Sequence, residues 1–331
     1  MADIFNNLPD EARDKLREKE QPDWTAPMLA TLTDERFSKE DWIYERKLDG
    51  ERCLAFKNGK TISLMSRNKK KKNHQYPEIE EALKDQENDF IIDGEIVAFD
   101  GDVTSFSKLQ PRMHSSDPDL DVEVFYYVFD IIYLNGHDLS KIGLKHRKAL
   151  LKEAVSFDHK NLRYTTHRNK EGKKFLKEAC SKGWEGLIAK DDNSKYRHDR
   201  SKKWLKFKCE NQQELVICGY TPPGGSRSHF GALIVGYYDE GKLKHAGKVG
   251  TGYDEETLKS LHDKMKPLEQ ENPPFDDEDP DYKEATWLKP KLVGEFRFTE
   301  WTGDNKLRHP SFLGLRDDKK AKDVKKEEPE S

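Results

Sequence analysis

The strongest constraint in this sequence is a succession of short strand-like runs broken by glycine turns. Trp42 to Lys47 and Arg52 to Lys57 flank an Asp49-Gly50 bend, and Asn58-Gly59 then leads into Thr61 to Ser66. Asx-Gly dipeptides supply the positive φ of two-residue hairpin loops, so the spacing predicts a β-meander with charged residues at its bends. Phe90 to Phe99 and Val122 to Leu134, rich in Ile, Val, Tyr and Phe, read as further long strands. Helical periods interrupt them. Lys145 to Val155 places Ala149, Leu150 and Ala154 along one side, and Glu171 to Lys182 gathers Phe175, Leu176 and Ala179 before a stop at Gly183. Strands and helices without regular βαβ alternation predict an α+β domain built on antiparallel sheets.

After Lys208 the pattern changes to short strands punctuated by Gly and Pro: Glu214 to Tyr220, Ala232 to Tyr238, Leu243 to Val249 and Leu292 to Thr299. One amphipathic helix, marked by Leu258, Leu261 and Met265, has Asp254 as its expected N-cap. About five strands around one helix is how an all-β OB-fold reads in sequence. A length of 331 residues suits two such domains. The expected organisation is an arm over 1–23, an α+β domain over 24–209, an OB-fold domain over 210–318, and a charged, disordered tail over 319–331.

Charged residues form 37% of the chain and hydrophobic ones 34%, yet the net charge is only −4, so net charge predicts no partner. The distribution is uneven: Lys69 to Lys72 is an unbroken basic run, whereas Glu269 to Glu284 is acidic. Cys53, Cys180, Cys209 and Cys218 form no CxxC pair, and no histidine cluster completes a zinc site. Free thiols in a reducing cytoplasm are expected. Met1 to Arg13 has no basic segment leading into an apolar one, and no stretch approaches the roughly 20 apolar residues of a membrane span. The expectation is a soluble, unexported, cytoplasmic protein without a membrane partner.

The chemistry centres on Glu45-Arg-Lys47-Leu-Asp49-Gly50-Glu-Arg52. A lysine at a strand end, facing an arginine across a glycine turn, could attack phosphorus while the arginine holds a sugar or phosphate. The bland alternative is a solvated, salt-bridged hairpin. Downstream follow Ser66-Arg67-Asn68, Asp93-Gly94-Glu95, Phe129-Asp130, Glu185-Gly-Leu-Ile-Ala-Lys190 and Trp204-Leu-Lys206-Phe-Lys208. Each is weak alone. Together, in this order, they resemble the motif set of the covalent nucleotidyltransferases: DNA ligases, RNA ligases and mRNA capping enzymes. The likeness runs from Trp24 to Val324. It is best to the ATP-dependent DNA ligases, in particular the ligase module of bacterial end-joining ligases of the ligase D type. Gly247 to Gly252, Pro273-Pro-Phe275 and Leu307 to Lys319 carry that distinction.

The resemblance implies an adenylation domain followed by an OB-fold, and a role for each motif residue. Lys47 would be the nucleophile that carries AMP, with Glu45 recognising adenine, Arg52 and Glu95 holding the ribose, and Phe129 stacking on the base. Glu185 would bind Mg²⁺ or Mn²⁺, and Lys190, Lys206 and Lys208 would contact the phosphates of ATP. Arg67 would touch the DNA 5′-phosphate region. Arg316, with Asp318 and Lys319, would close over ATP to orient the departing pyrophosphate. The implied partner is nicked or broken duplex DNA, with a Ku-like end-binding protein as a further candidate and the chain acting as a monomer.

Physical chemistry sets conditions on these roles. At pH 7 only about four in ten thousand ordinary lysines are neutral, so the site must depress the pKa of Lys47, for which neighbouring cations, a metal and partial burial are the available means. Blander readings stay open residue by residue. Phe129 could be plain core, Glu95 and Glu185 exposed partners of lysines, and Trp204 packing alone. Lys69, Lys70, Lys71 and Lys72 are read as contacts to DNA phosphates or as a solvated loop. Gly247 to Gly252 has no strand-to-helix context for a dinucleotide and reads as barrel-turn chemistry. At the level of function, an RNA ligase or capping guanylyltransferase, and an OB-fold binder attached to a dead catalytic domain, remain the alternatives.

Overall fold

A computed structural model describes residues 4–113, 121–209, 211–224, 228–276, 280, 282 and 284–327. The chain divides into a first unit through Cys209 and a second that runs to Glu327. In the first unit the strands used below are β1 (Leu29–Leu32), β2 (Trp42–Arg46), β3 (Glu51–Asn58), β4 (Thr61–Ser66), β5 (Phe90–Val97), β6 (Phe125–Leu134), β7 (His167–Asn169), β8 (Gly186–Asp191) and β9 (Arg200–Lys208). Its helices are α1 (Pro77–Lys84), α2 (Phe106–Met113), α3 (Leu144–Ala154) and α4 (Gly172–Ser181). A five-stranded sheet runs β7-β2-β8-β9-β1, and a seven-stranded sheet ends in the run β6-β5-β3-β4, with β4 at its edge. Pairing is antiparallel except where β1 joins β9 and Leu162–Tyr164 joins β6.

Alternation of side chains along each strand sorts the residues into layers. Tyr44, Leu187, Ala189 and Phe207 leave one face of the five-stranded sheet and pack with Phe175 and Ala179 of α4. Ile43, Ile188 and Trp204 leave the other face and meet Leu54, Phe56, Ile91 and Phe129 from the larger sheet. Behind the larger sheet, Ala55, Leu64, Ile92, Tyr126 and Val128 pack with Ile79, Leu109 and Leu151 from α1, α2 and α3. The two sheets therefore face each other across one gap. The helices α3 and α4 lie within a residue or so of their expected places, whereas α1 was not anticipated.

The meander fails at its first bend. β2 pairs with β7 and β8, while β3 pairs with β4 and β5, so Asp49-Gly50 joins two different sheets instead of closing a hairpin. The glycine there serves close approach: a Cβ on Gly50 would lie 2.1 Å from the Ile96 carbonyl oxygen. Asp49 is tied down by Thr104, whose hydroxyl accepts from its N–H at 3.1 Å, and by Phe106, whose N–H donates to its carboxylate at 3.1 Å. Only Asn58-Gly59 is a hairpin turn, with Asn58 opposite Thr61 and Gly59 at φ +56°.

In the second unit the strands are β10 (Asn211–Tyr220), β11 (Leu233–Asp239), β12 (Lys242–Val249), β13 (Thr286–Leu288), β14 (Val293–Phe298) and β15 (Ser311–Leu315), with one α-helix among the described residues, α5 (Glu255–Met265). The long β10 pairs β14 along its first half and β13 at its end, which bends the sheet into the small barrel of an OB-fold. Leu258, Leu261 and Met265 of α5 enter the barrel core, and Asp254 caps the helix by accepting from Thr257 N–H at 2.7 Å. Gly247 and Gly252 take φ of +111° and +95°, and a Cβ on Gly252 would lie 2.2 Å from the Phe312 carbonyl oxygen, so these glycines are barrel geometry.

Two expectations need correction. The tail is ordered as far as Glu327: Ala321 and Val324 enter the barrel core, Tyr238 N–H donates to Val324 O at 2.7 Å, and Gln213 bonds the backbone of Lys325 and Glu327. Two small apolar residues among lysines suffice to dock it; residues 328–331 lie outside the described residues. The thiols are not all free either. Cys180, at the end of α4, and Cys209, just after β9, form a disulfide with Cα atoms 5.3 Å apart, leaving Cys53 and Cys218 as buried thiols. The hairpin of β8 and β9 brings these two cysteines together across a separation of 29 residues, which no linear motif records. Thiol titration of the unfolded, unreduced chain should count two reactive groups, rising to four after reduction, and reduction should lower stability by about 3 kcal/mol. Four reactive thiols before reduction would refute the pairing.

Candidate active site

The gap-facing side of the five-stranded sheet carries the polar residues of three motifs. Ile188 of β8 sits opposite Glu45 on one side and Lys206 on the other, and Gly186 sits opposite Lys208. Trp204, Lys206 and Lys208 follow at two-residue intervals and therefore share a face. Lys47 N–H donates to Gly186 O at 2.9 Å, which draws the residue after β2 against the start of β8. Gly186 is at φ +148°, with Phe207 O only 2.0 Å from where a Cβ would lie, so no other residue fits that corner. Its neighbour Glu185 is thereby delivered to Lys47, whose Nζ donates directly to Glu185 Oε2. The Lys47 side chain keeps 20% of its surface exposed and that of Glu185 keeps 7%, so the amine is the open member of the pair.

From the larger sheet, Arg52 of β3 lies opposite Glu95 of β5. Arg52 forks onto the fully buried Asp93 at 2.5 and 2.6 Å. Burial opposes the Arg52 charge, but Asp93 more than offsets it and holds the guanidinium above its ordinary pKa. Tyr196 donates its hydroxyl proton to Asp93 at 2.5 Å and accepts from Met28 N–H at 2.9 Å, completing the brace. The Arg52 guanidinium lies 4.5 Å from the Phe129 ring centre.

Three charges sit deeper. Glu45 is 2% exposed, and its two oxygens lie 2.5 Å from Lys148 Nζ and 2.5 Å from Lys190 Nζ. Lys148 also donates to the carbonyls of Phe129 and Thr165, both at 3.3 Å. Lys190 Nζ instead faces aromatic rings, 4.2 Å from the centre of Phe129 and 4.1 Å from that of Trp204. Burial pushes the Glu45 pKa up, and the two lysines outweigh it and hold the carboxyl below its usual value. Burial together with repulsion from Lys148 overcomes Glu45 at Lys190 and pushes that amine down to about 8. Asp130, next to Phe129, points away from this cluster and grips Arg147 of α3 at 2.8 and 2.9 Å, both side chains fully buried.

The structure thus gathers Lys47 with Glu185, and Glu45 with Lys190, Phe129 and Arg52, and it sets Glu95 opposite Arg52 and Lys206 and Lys208 on the gap-facing side. Other expectations shift. Lys190, expected at the phosphates, pairs with Glu45 beside the aromatic rings, because that buried carboxylate needs a counter-charge. The Phe129 ring, expected to stack on a base, is faced here by Arg52 and Lys190. Lys72 does not belong to an exposed basic run: it is 5% exposed and bound to Glu51 at 2.7 Å, where Tyr76 also donates at 2.6 Å. Lys69, Lys70 and Lys71 are exposed and Arg67 is half-buried. In the second unit, Arg316 forks onto Asp318 at 2.9 Å and reaches Glu295 at 3.3 Å, and Lys319 pairs with Glu214 at 2.7 Å. Among the described residues no three His, Cys, Asp or Glu side chains converge as a metal site.

Sequence reasoning missed Asp93 as the partner of Arg52, and it missed Tyr196, Arg147 and Lys148. A signal existed for the last two. Leu144, Arg147, Lys148 and Leu151 occupy the i, i+3, i+4 and i+7 positions of one helical stripe, and all four are buried.

Residues 27–208 match the family model of the ATP dependent DNA ligase domain, and residues 226–319 match that of the ATP dependent DNA ligase C terminal region. The chain is similar to the multifunctional non-homologous end joining protein LigD of Pseudomonas aeruginosa, 34% identical over 318 residues that cover 93% of this chain and 37% of that protein. It is also similar to the multifunctional non-homologous end joining DNA repair protein LigD of Mycobacterium tuberculosis, 36% identical over 311 residues, 91% of this chain and 40% of that protein. It therefore spans about two fifths of the length of these curated relatives. A solved mycobacterial DNA ligase D complexed with ATP and MES is similar with a TM-score of 0.67 at 34% identity, covering 91% of this chain and 97% of that one.

The buried triad makes a direct prediction. In a pH titration of the lysine side chains by NMR, one resonance should titrate near pH 8, far below the roughly 10.4 of exposed lysines, and should vanish in Lys190→Met. If every lysine titrates above pH 10, the description of this triad is wrong.

Proposed function

The chain belongs to the ATP-dependent DNA ligase family, and from that premise we propose that it seals breaks in duplex DNA by carrying AMP on Lys47. The observation that carries this reading is the partly exposed Lys47 amine held at Glu185 in a gap whose surroundings are rich in cations. In the first step Lys47 Nζ attacks the α-phosphorus of ATP. A P–N bond forms, the P–O bond to pyrophosphate breaks, and Nζ loses a proton. A DNA 5′-phosphate oxygen then takes the adenylyl group from Lys47, and the 3′-hydroxyl finally attacks the 5′-phosphorus and expels AMP. The Lys47 amine is held in an ion pair with Glu185, and attack needs that amine free of the contact and of its extra proton.

Base choice follows from the buried pair. Ionised Glu45 can only accept hydrogen bonds and the ammonium of Lys190 can only donate them, which complements adenine when the carboxylate meets its amine and the ammonium its ring nitrogen; guanine would need the two in the opposite order. Arg52, whose guanidinium lies 4.5 Å from the Phe129 ring centre, and Glu95 opposite it would hold the ribose. A divalent ion fits Glu185: a single carboxylate is the donor set Mg²⁺ accepts when waters and substrate phosphates fill its other positions, and Mn²⁺ has the same preference for oxygen. Such an ion would offset phosphate charge during transfer. Lys206 and Lys208 would hold the same phosphates.

Kinship with end-joining proteins supports double-strand ends among the substrates, with a Ku-like end-binding protein as partner. We assign Arg316, Asp318 and Lys319 to the charging step. No helix of the described residues is long and apolar enough to cross a membrane.

One assay series tests the proposal. The purified chain with ATP and Mg²⁺ should seal a nick in duplex DNA, and should act poorly with GTP or with an RNA nick. Arg316→Ala should lose sealing from ATP yet seal a nick whose 5′-phosphate already carries AMP. Efficient charging with GTP, or sealing of RNA in preference to DNA, would contradict the proposal.

A further inference from the structure

Lys148 belongs to no motif of the adenylation chemistry, yet its ammonium is buried and fully bound. It is 3% exposed. Its three protons have three acceptors: Glu45 Oε1 at 2.5 Å, and the carbonyls of Phe129 and Thr165 at 3.3 Å each. Nothing remains to offer a ligand. Its helix is locked in turn, because the neighbouring Arg147 grips Asp130 of β6 and the carbonyls of Ile142 and Ser194. Lys190 differs: its one anionic partner is the other Glu45 oxygen, and its remaining contacts are aromatic faces. One lysine is therefore a fixed post, whereas the buried amine of the other has a Glu45 oxygen and the faces of Phe129 and Trp204 around it.

We propose that Lys148 is a positioning residue for nucleotide choice, anchoring Glu45 from behind so that Glu45 and Lys190 present an acceptor beside a donor to the base. This rests on the reading that Glu45 and Lys190 address adenine. A buried carboxylate needs a counter-charge. With Lys148 in place that need is met from the side away from the base, and the same ammonium fixes the backbone of Phe129. Without Lys148, Glu45 and Lys190 have only each other, and the carboxylate turns from the base to its remaining partner. The loss falls on nucleotide binding and on the preference for ATP over GTP, and leaves the reacting lysine intact.

The test uses the full chain and compares Lys148→Met, Lys148→Arg, Glu45→Gln and the double variant Glu45→Gln with Lys148→Met. Lys148→Met should raise the KM for ATP in self-adenylation at least tenfold and shrink the ATP-over-GTP preference at least tenfold. Its kcat should stay within about threefold, and sealing of a pre-adenylated nick should be preserved, which also reports folding. Lys148→Arg should recover part of the preference. In the Glu45→Gln background, Lys148→Met should cost no further preference, because Lys148 acts through Glu45; a purely structural role would give an additional loss. If Lys148→Met does not fold, Lys148→Gln, which keeps donors but no charge, takes its place in both the single and the double variant. Unchanged KM and preference in a folded Lys148 variant, or additive losses in the double variant, overturn the inference. If Glu45→Gln itself leaves the preference untouched, the base-recognition reading fails and this inference with it. Loss in Glu45→Gln but not in Lys148→Met sinks the role of Lys148 alone.

Discussion

One carboxylate between two ammonium groups, Glu45 between Lys148 and Lys190, is the interaction around which the gap is organised. Burying three charges costs several kcal/mol per ion before pairing offsets it, and packed apolar side chains would fill the same space at less cost. The triad carries a net positive charge beside the rings of Phe129 and Trp204. That arrangement is poor for stability alone and suited to a polar ligand that presents an acceptor to Lys190. Ion pairs at the gap join different elements: Arg52 from β3 with Asp93 from β5, Lys47 after β2 with Glu185 before β8, and Glu45 of β2 with Lys148 of α3 and Lys190 of β8. Arg52 and Asp93 brace the larger sheet, the Lys47–Glu185 and Glu45–Lys190 pairs brace the smaller one, and Lys148 ties α3 to Glu45.

The hairpin of β8 and β9 has a second restraint. Glu185, Lys190, Lys206 and Lys208 all lie within the loop closed by Cys180 and Cys209, and Cys209 N–H donates to Glu185 O at 3.0 Å. The disulfide therefore staples the open end of the hairpin, next to the carboxylate that meets Lys47. The cross-link limits the conformations of that segment in the unfolded chain as well as fixing its end in the folded one.

How far the sequence could be read depended on whether the signal was local. Alternation in Trp204 to Lys208 puts both lysines on one face, and the Leu258, Leu261 and Met265 period with Asp254 as cap defines α5; both patterns live within a few residues. Asp49-Gly50 misled because glycine answers two demands, positive φ and close backbone approach, and the dipeptide does not say which applies. Lys72 looked like its three neighbours until the fold brought Glu51 beneath it. Cys180 and Cys209 meet only through the hairpin between them. Lys148 was missed because a buried lysine needs a distant carboxylate to explain it, here 103 residues earlier in the chain.

Of the lysines at the gap, Lys47 and Lys190 compete most directly as acceptors of an adenylyl group. Burial pushes the Lys190 amine down to about 8, which favours its neutral, nucleophilic form, whereas Lys47 has the open position beside Glu185. Geometry decides between them. Peptide mapping by mass spectrometry after incubation with ATP and divalent metal should find AMP on the peptide containing Lys47 and none on that containing Lys190. AMP on Lys190, or on neither lysine, would contradict it.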